Sequence, residues 1–418
     1  MTKSIYLCGG AVRDILMGLE PKDHDYVAVG FREIDFLEMG YQRVGADFPV
    51  FLHPYTGDEY ALARREKKTG IGYLGFTSEF GIDVTLENDL ARRDLTINSM
   101  AIPETMGPVD TLSVLIDPFN GQEDLKNKVL RHTSNAFSED PVRVLRLARF
   151  RARFGPDWTV APETKALVHD MAKKGVLNEL TAERVWKELS RALMEPFPRL
   201  FFDTLLELDA LYVLFPEVYK LKTALEARKW HPEGDSYEHT MLVLTAAAKE
   251  GFDLDSMFAS LVHDFGKGLT KFENLPNHYG HDVNGVAVVE AFANRLTVPA
   301  RMRDHAMKAT RYHMNLHYLG KMNPKTVVKM FDDMSVLNDP AGADVLFNVG
   351  VADERGRKGS AENSVDHLTL FYTMLVAYRS VKFADVFPNG GPTGEGAGEK
   401  IRNAMHRARV SAVAKVMP

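Results

Sequence analysis

The sequence predicts an α+β protein, a strand-bearing N-terminal head followed by an all-α remainder. Two observations carry this reading. Short runs of β formers, Ile5 to Cys8, Asp23 to Val29, Asp47 to Leu52 and Glu59 to Arg64, crowd the N-terminal part and are separated by turn residues. From residue 139 onward the apolar residues recur at helical spacing instead. A chain of 418 residues is too long for one simple core and predicts roughly two to four domains.

The first strand, Ile5 to Cys8, ends in Gly9-Gly10, a pair that lets the backbone turn tightly and approach a ligand. Ala11 to Met17 then reads as a helix stopped by Gly18. The N–H groups at its start, with Gly10 and Arg13, are suited to a triphosphate. In a second strand Asp23 and Asp25 are two residues apart and fall on one face. Two hard carboxylates side by side suit Mg²⁺, which completes its shell with water and substrate phosphates, the arrangement of metal-assisted nucleotidyl transfer. Glu59, on the later strand, is either a third carboxylate of that site or an exposed strand glutamate.

Farther on, the Gly-rich stretch Gly70 to Gly75 reads as a loop over an incoming nucleotide. Asp89 to Asn98 places acceptors beside Arg92 and Arg93, a holder for a ribose hydroxyl and phosphate charge or else a surface charge cluster. Asp117 to Gly121 reads as a turn followed by a helix. Asp140 is a good N-cap with Pro141 at the first helical position. Beyond it Arg143, Arg146, Arg149 and Arg153 share one helix face while Leu145, Ala148 and Ala152 lie opposite. A fixed Asp140 carboxylate beside the Arg143 guanidinium matches the amino donor and ring-nitrogen acceptor of cytosine and adenine alike. Uracil and guanine present the reverse order and leave both protein groups unpaired, at about 1–3 kcal/mol each. Leu167 to Met171, Thr181 to Leu189 and Leu200 to Phe215 continue as helices.

A different composition opens at Lys229-Trp230-His231. His239, the adjacent pair His263-Asp264, His281, His313 and Asp353 follow in order, with Asp344 as a rival for the last place. Histidine with aspartate suits a transition metal, Ni²⁺, Mn²⁺, Fe²⁺ or Zn²⁺. Phe387 to Glu399 is Gly- and Pro-rich and reads as a flexible connection. The closing segment, Lys400 to Lys415, is a basic amphipathic helix, for an RNA backbone or for packing on the body.

Composition bounds the alternatives. A formal net charge of −6 excludes a diffuse basic surface, so any nucleic-acid contact is a local basic stripe. The single cysteine, Cys8, excludes an intramolecular disulfide and fits a reducing cytoplasm. No apolar run reaches the ~20 residues of a membrane span, and the first motif begins too early for a signal peptide.

Gly9-Gly10-Ala11-Val12-Arg13-Asp14 followed by Lys22-Asp23-His24-Asp25-Tyr26-Val27 resembles the head of the tRNA nucleotidyltransferases, the CCA-adding enzymes, which belong with poly(A) polymerases in the DNA polymerase beta superfamily. Arg92-Arg93-Asp94 is similar to the family's RRD motif, which implies that Arg93 and Asp94 contact ribose and phosphates. Glu139-Asp140-Pro141-Val142-Arg143 resembles the EDxxR of the class II enzymes, which implies base pairing by Asp140 and Arg143, with Arg146 reaching the nucleotide from the next turn. Asp117 to Gly121 matches a hinge segment, while Glu104 to Leu115 departs from the family's more compact spacing. The ordered histidines and aspartates resemble the HD phosphohydrolases. That likeness implies His239, His263, Asp264 and Asp353 as metal ligands, and His281 and His313 as phosphate contacts or ligands of a second metal.

Head and HD module together resemble the gammaproteobacterial type of CCA-adding enzyme. The resemblance implies a polymerase-beta-like head over 1–138, a helical neck and body over 139–225, an HD domain over 226–360 and a helical C-terminal region over 361–418. It further implies CCA addition to tRNA from CTP and ATP, with Mg²⁺ in the head and nickel, or manganese or iron, at the HD site. Phosphate esters would be hydrolysed there by 2′,3′-cyclic phosphodiesterase, 2′-nucleotidase and phosphatase activities. The expected form is a cytoplasmic monomer or homodimer without membrane association. The rivals are a poly(A) polymerase on the same head and a phosphohydrolase whose head senses nucleotides.

Overall fold

The computed structural model describes residues 2–45, 49–68, 76–104, 111–227, 229, 231–360, 362 and 364–418. The expected loop Gly70 to Gly75, the start of the strand expected at Asp47, residues 105–110 and Trp230 lie outside them. The chain divides into two compact units, Met1–Val185 with Leu200–Leu214, and Trp186–Arg199 with Phe215–Pro418.

The first unit carries a mixed sheet, as the sequence predicts, of six strands, two of which, Gln42–Val44 and Ala101–Pro103, the sequence did not announce. Its strands are β1 (Ser4–Cys8), β2 (Asp25–Val29), β3 (Gln42–Val44), β4 (Val50–Leu52), β5 (Glu59–Leu62) and, after the hairpin of β6 (Arg64–Lys68) and β7 (Phe76–Phe80), β8 (Ala101–Pro103). The order is β3-β4-β5-β2-β1-β8, with β2 and β5 parallel and the other neighbours antiparallel. Alternation sends Cys8, Val27 and Val29 to one core face with Leu90 and Ala101, and Ala28 to the other with Phe36, Phe51 and Leu62.

The strand expected from Asp23 begins at Asp25. Cys8, the last residue of β1, pairs with Asp25, and Gly9 then leaves the ladder at φ +76°. Asp23 therefore has no ladder partner on β1 and sits in a bend, so strand parity does not apply to it. On the other side Asp25 pairs in register with Glu59.

The helix expected from Pro141 runs Val142–Phe154. Asp140 still supplies a cap, accepting from the Val142 N–H at 3.2 Å, but the preceding 3-10 turn Asn135–Glu139 delays the helix by one residue. Thr181 to Leu189 lies on the helix Ala182–Leu193, and Leu200 to Phe215 divides into Arg199–Glu207 and Leu211–Leu214.

In the second unit the helices Ser236–Lys249, Leu254–Val262, His281–Arg295, Ala300–Leu316 and Pro340–Arg355 pack on one another. His305 is fully buried among them. Its Nδ1 faces Asp255 at 2.9 Å and its Nε2 faces Asp339 at 2.7 Å. Asp255 lies in the first turn of one helix and Asp339 at the N-cap of another, so this ring ties together three of the five. His305→Ala should lower unfolding stability by about 2–3 kcal/mol, below the figure for a fully buried pair because both carboxylates are partly exposed. An unchanged urea midpoint would refute this.

The terminal helix Ala397–Ala414 packs on Pro324–Asp333 and Thr369–Ser380. Arg409 lies over the Tyr378 ring at 4.7 Å and donates to its hydroxyl at 3.3 Å, and Val413 is buried. Of the two roles open to this helix, packing is visible in the structure. Among the described residues no helix is long and apolar enough to cross a membrane.

Candidate active sites

The head places its charged residues around the Gly9-Gly10 turn. A Cβ on Gly9 would lie 2.6 Å from Arg93 Nη1 and push the guanidinium aside, and the turn's φ of +76° itself favours glycine. Arg93 also reaches Asp89, which is fully buried and takes Arg92 Nη2 at 2.7 Å. Burial pushes the Asp89 carboxyl up, but Arg92 and Arg93 outweigh it and hold it below the usual carboxylate range.

Asp25 behaves oppositely. Burial raises its carboxyl, and Asp23 adds to this against Arg93 and His24. Asp25 keeps an exposed face at the start of its strand, and a carboxylate raised beside a like charge is one that a cation would relieve. The Cys8 thiol, beside Asp25 on the ladder, is pushed up to about 12, mainly by burial. Cys8 is thus a neutral packing residue beneath the site. Glu59 stands in register beside Asp25, and carboxylates are the donor type that a hard divalent ion takes.

A polar chain then crosses the unit. Arg13 binds Asp14 Oδ1 through Nε (2.9 Å) and Nη2 (2.7 Å), and donates from Nη1 to Asn98 Oδ1 at 2.7 Å. Asn98 donates to Asp94 Oδ1 at 3.0 Å, and Asp94 Oδ2 receives Arg146 Nε at 2.7 Å. Arg153 closes on Asp14 Oδ2 at 3.3 Å. Burial opposes charge on Asp94, yet Arg146, Asn98 and the Leu95 N–H bring it down to about 2. The sequence suggests Arg13 as a phosphate holder; the structure places it 3% exposed, near the rings of Phe150 and Phe154, as the hub of this chain.

Asp140 and Arg143 stand one turn apart with separate partners. Asp140 Oδ2 accepts from Arg184 at 2.7 Å, while Arg143 donates to the carbonyls of Ala136 and Arg92. These bonds take two of the five guanidinium donors and two of about four carboxylate lone-pair sites. Both side chains keep capacity for a ligand.

In the second unit His239, His263, Asp264, His281, His313 and Asp353 converge. His239, His263 and Asp353 offer atoms within 4.8 Å of one another, as do Asp264, His281 and His313. Asp264 stands between the sets, its Oδ2 3.3 Å from His263 Nε2 and its Oδ1 3.3 Å from His281 Nε2. Asp344 instead accepts from Tyr372 at 2.7 Å.

The tautomers are set for ligation. Nδ1 of His263, His281 and His313 lies 2.8 Å from the carbonyls of Ser260, His278 and Thr310 respectively, so each ring carries its proton there and turns an Nε2 lone pair inward. His239 Nδ1 faces Glu233 at 3.1 Å. Nε2 of His239 and of His263 and Oδ1 of Asp264 are buried without a well-directed hydrogen bond, although His239 Nε2 lies 3.0 Å from Asp353 Oδ1. Orphaned atoms of this kind, all aimed into one space, fit a bound transition metal.

Lys267, which sequence reasoning did not single out, lies buried with Nζ 2.8 Å from Asp264 and 2.7 Å from Glu226, and these carboxylates raise its ammonium further against burial. Glu226, Glu233 and His317, the last 2.9 Å from Asp353, were likewise missed. The one available signal was the three-residue step from Asp264 to Lys267. Gly266 lets the helix His281–Arg295 approach, since a Cβ there would lie 2.0 Å from the His281 carbonyl. The cluster opens into a cavity of about 730 Å³ whose walls include His231, Lys267, His317 and Arg357.

Comparison with known proteins matches the head and a helical stretch that runs from the first unit into the second. Residues 5–131 match the family described as "Poly A polymerase head domain", and residues 157–221 match "Probable RNA and SrmB- binding site of polymerase A". Among solved structures the chain is similar to a CCA-adding enzyme in apo form II, at 21% identity over 99% of this chain and 91% of that one, with a TM-score of 0.67. It is also similar to the Bacillus stearothermophilus CCA-adding enzyme in complex with CTP, at 19% identity over 99% and 93%, TM-score 0.63. A third likeness is to the Thermotoga maritima CCA-adding enzyme complexed with tRNA_CCA, at 19% identity over 99% and 90%, TM-score 0.62. At these identities the common property is the fold, a polymerase-beta-like head followed by helices.

Proposed function

We propose that the protein is a class II CCA-adding enzyme, transferring two CMP and one AMP to the 3′ end of tRNA from CTP and ATP, with a phosphohydrolase of the HD type in its second unit. The observation that carries the first activity is the head itself, matched to a polymerase-family head over residues 5–131 and holding Asp25, Glu59, Asp23 and Arg93 around one turn.

When bound at Asp23 and Asp25, Mg²⁺ supplies charge neutralisation as the tRNA 3′ hydroxyl attacks the α-phosphate and pyrophosphate leaves. Arg93, pinned by Asp89, faces the phosphates across Gly9. Arg13, Asn98, Asp94 and Arg146 hold the Val142–Phe154 helix against the turn, and from that helix Asp140 and Arg143 pair with the amino and ring-nitrogen groups of cytosine or adenine. Arg184 orients the Asp140 carboxylate.

Labelled CTP and ATP, offered separately and together to tRNA lacking its CCA end, test this reading. Two C and one A are expected. The family description that matches the head also favours a poly(A) polymerase, and repeated addition of ATP alone would establish that enzyme instead. No incorporation at all would remove the head from catalysis. Gly9→Ala should reduce incorporation at least tenfold by displacing Arg93, and cost about 1–3 kcal/mol of stability for a backbone conformation that glycine alone adopts readily.

At the second site the inward imidazoles and the Asp264 and Asp353 carboxylates would hold a transition metal, nickel, manganese or iron, which would supply Lewis acidity for hydrolysis of a phosphate ester. Lys267 and Arg357 offer positive charge beside the ligands. Cyclic 2′,3′ phosphates and 2′ phosphates on damaged tRNA ends are the substrates this reading assigns.

A further inference from the structure

Two exposed tyrosines stand in the wall of the second unit's cavity. Tyr279, from the loop before the helix His281–Arg295, is 84% exposed, and Tyr318, just after the helix Ala300–Leu316, is 56% exposed. Both line the same space as Asp264, His281, His313 and Asp353. A smaller groove of about 290 Å³ adjoins it and shares Asn277, Tyr279 and His281. The groove adds Asn274, Asn284 and Lys271, and among the described residues no hydrogen bond of the three asparagine side chains to protein is recorded.

Large aromatic faces left in water beside buried metal-type ligands are not needed for packing. An amide offers a donor and an acceptor at once, the pattern of a nucleobase edge, and an aromatic face offers stacking to any base. Leu269 and Phe272 are also exposed here, but amides and a lysine are interleaved with them and with the rings, a mixture that suits a nucleobase better than an apolar protein face. Whatever these groups hold is held within reach of the ligand cluster, which on the reading above takes a phosphate ester.

We propose that Tyr279, Tyr318 and the Asn274, Asn277 and Asn284 groove form a nucleobase platform at the mouth of the second site, so that it recognises the unpaired terminal nucleotides of an RNA strand by stacking as well as by phosphate. This rests on the phosphohydrolase reading of the same cavity.

The test uses the full-length protein. Binding of adenosine 2′-monophosphate and of inorganic phosphate is measured by calorimetry, and hydrolysis of adenosine 2′-monophosphate is compared with that of bis(p-nitrophenyl) phosphate, an ester without a nucleobase, in the presence of Ni²⁺ or Mn²⁺. Tyr279→Ala and Tyr318→Ala should each weaken nucleotide binding and raise its KM about tenfold, with kcat and the binding of inorganic phosphate within twofold of wild type. Tyr279→Phe, which keeps the ring, should restore nucleotide affinity. Equal weakening of nucleotide and phosphate, or no weakening of either, overturns the platform. Failure of the underlying reading looks different, since the wild-type protein would then hydrolyse neither ester with any metal.

Discussion

Asp25→Ala should reduce CMP and AMP incorporation by at least about a thousandfold. Several kcal/mol of transition-state charge stabilisation depend on the ion this carboxylate would hold, and each 1.36 kcal/mol is a factor of ten. Asp25 is the fixed member of the group, because it begins β2 and is clamped in register between Cys8 and Glu59. Asp23 lies in a bend outside the ladder, so Asp23→Ala should cost less, on the order of ten- to a hundredfold. A second readout separates lost chemistry from lost structure. The Asp25 carboxyl is raised, so its ionisation works against folding as pH rises above the unfolded value of 3.8. Asp25→Asn should therefore raise the melting temperature at pH 7 while removing activity. A melting temperature that falls would refute the electrostatic account, and retained incorporation would refute the catalytic one.

Asp264→Asn is expected to have the comparable effect on the second unit, cutting ester hydrolysis at least about a thousandfold and leaving CCA addition within twofold. Both sets of candidate ligands lean on this one side chain, so metal content measured after dialysis should fall further than for His281→Ala, which touches only one set. The substitution also takes a carboxylate from buried Lys267, which keeps Glu226, and the expected loss of stability is on the order of 2–3 kcal/mol. Unchanged metal content would remove Asp264 from the site.

The sequence was most readable where chemistry is written in short spacing. The Gly9-Gly10 turn, the strand bearing Asp25 and the order of His239, His263-Asp264, His281, His313 and Asp353 could all be read without coordinates. What could not be read was the partner of each charged group. Arg13 reads as a phosphate ligand, and nothing near it in sequence announces that Asn98, 85 positions away, takes its Nη1. Arg184 meets Asp140 across 44 positions, and Glu226 meets Lys267 across 41. No local pattern encodes such pairings, because they follow from how helices and strands pack. The β6 and β7 hairpin was missed for another reason, since Arg64-Arg65-Glu66-Lys67-Lys68 carries charge where strand patterns are sought in apolar alternation.

The carbonyls that receive the Nδ1 protons of His263, His281 and His313 each come from the residue three places earlier in the same chain segment. Each imidazole is thereby aimed by its own turn of backbone and not by the other ligands. Their other nitrogens still meet around Asp264, and His281 and His313 stand 3.3 Å apart, so double substitutions should depart from the sum of the single ones. The backbone sets the aim of each ring, and the tertiary fold sets how closely the rings depend on one another.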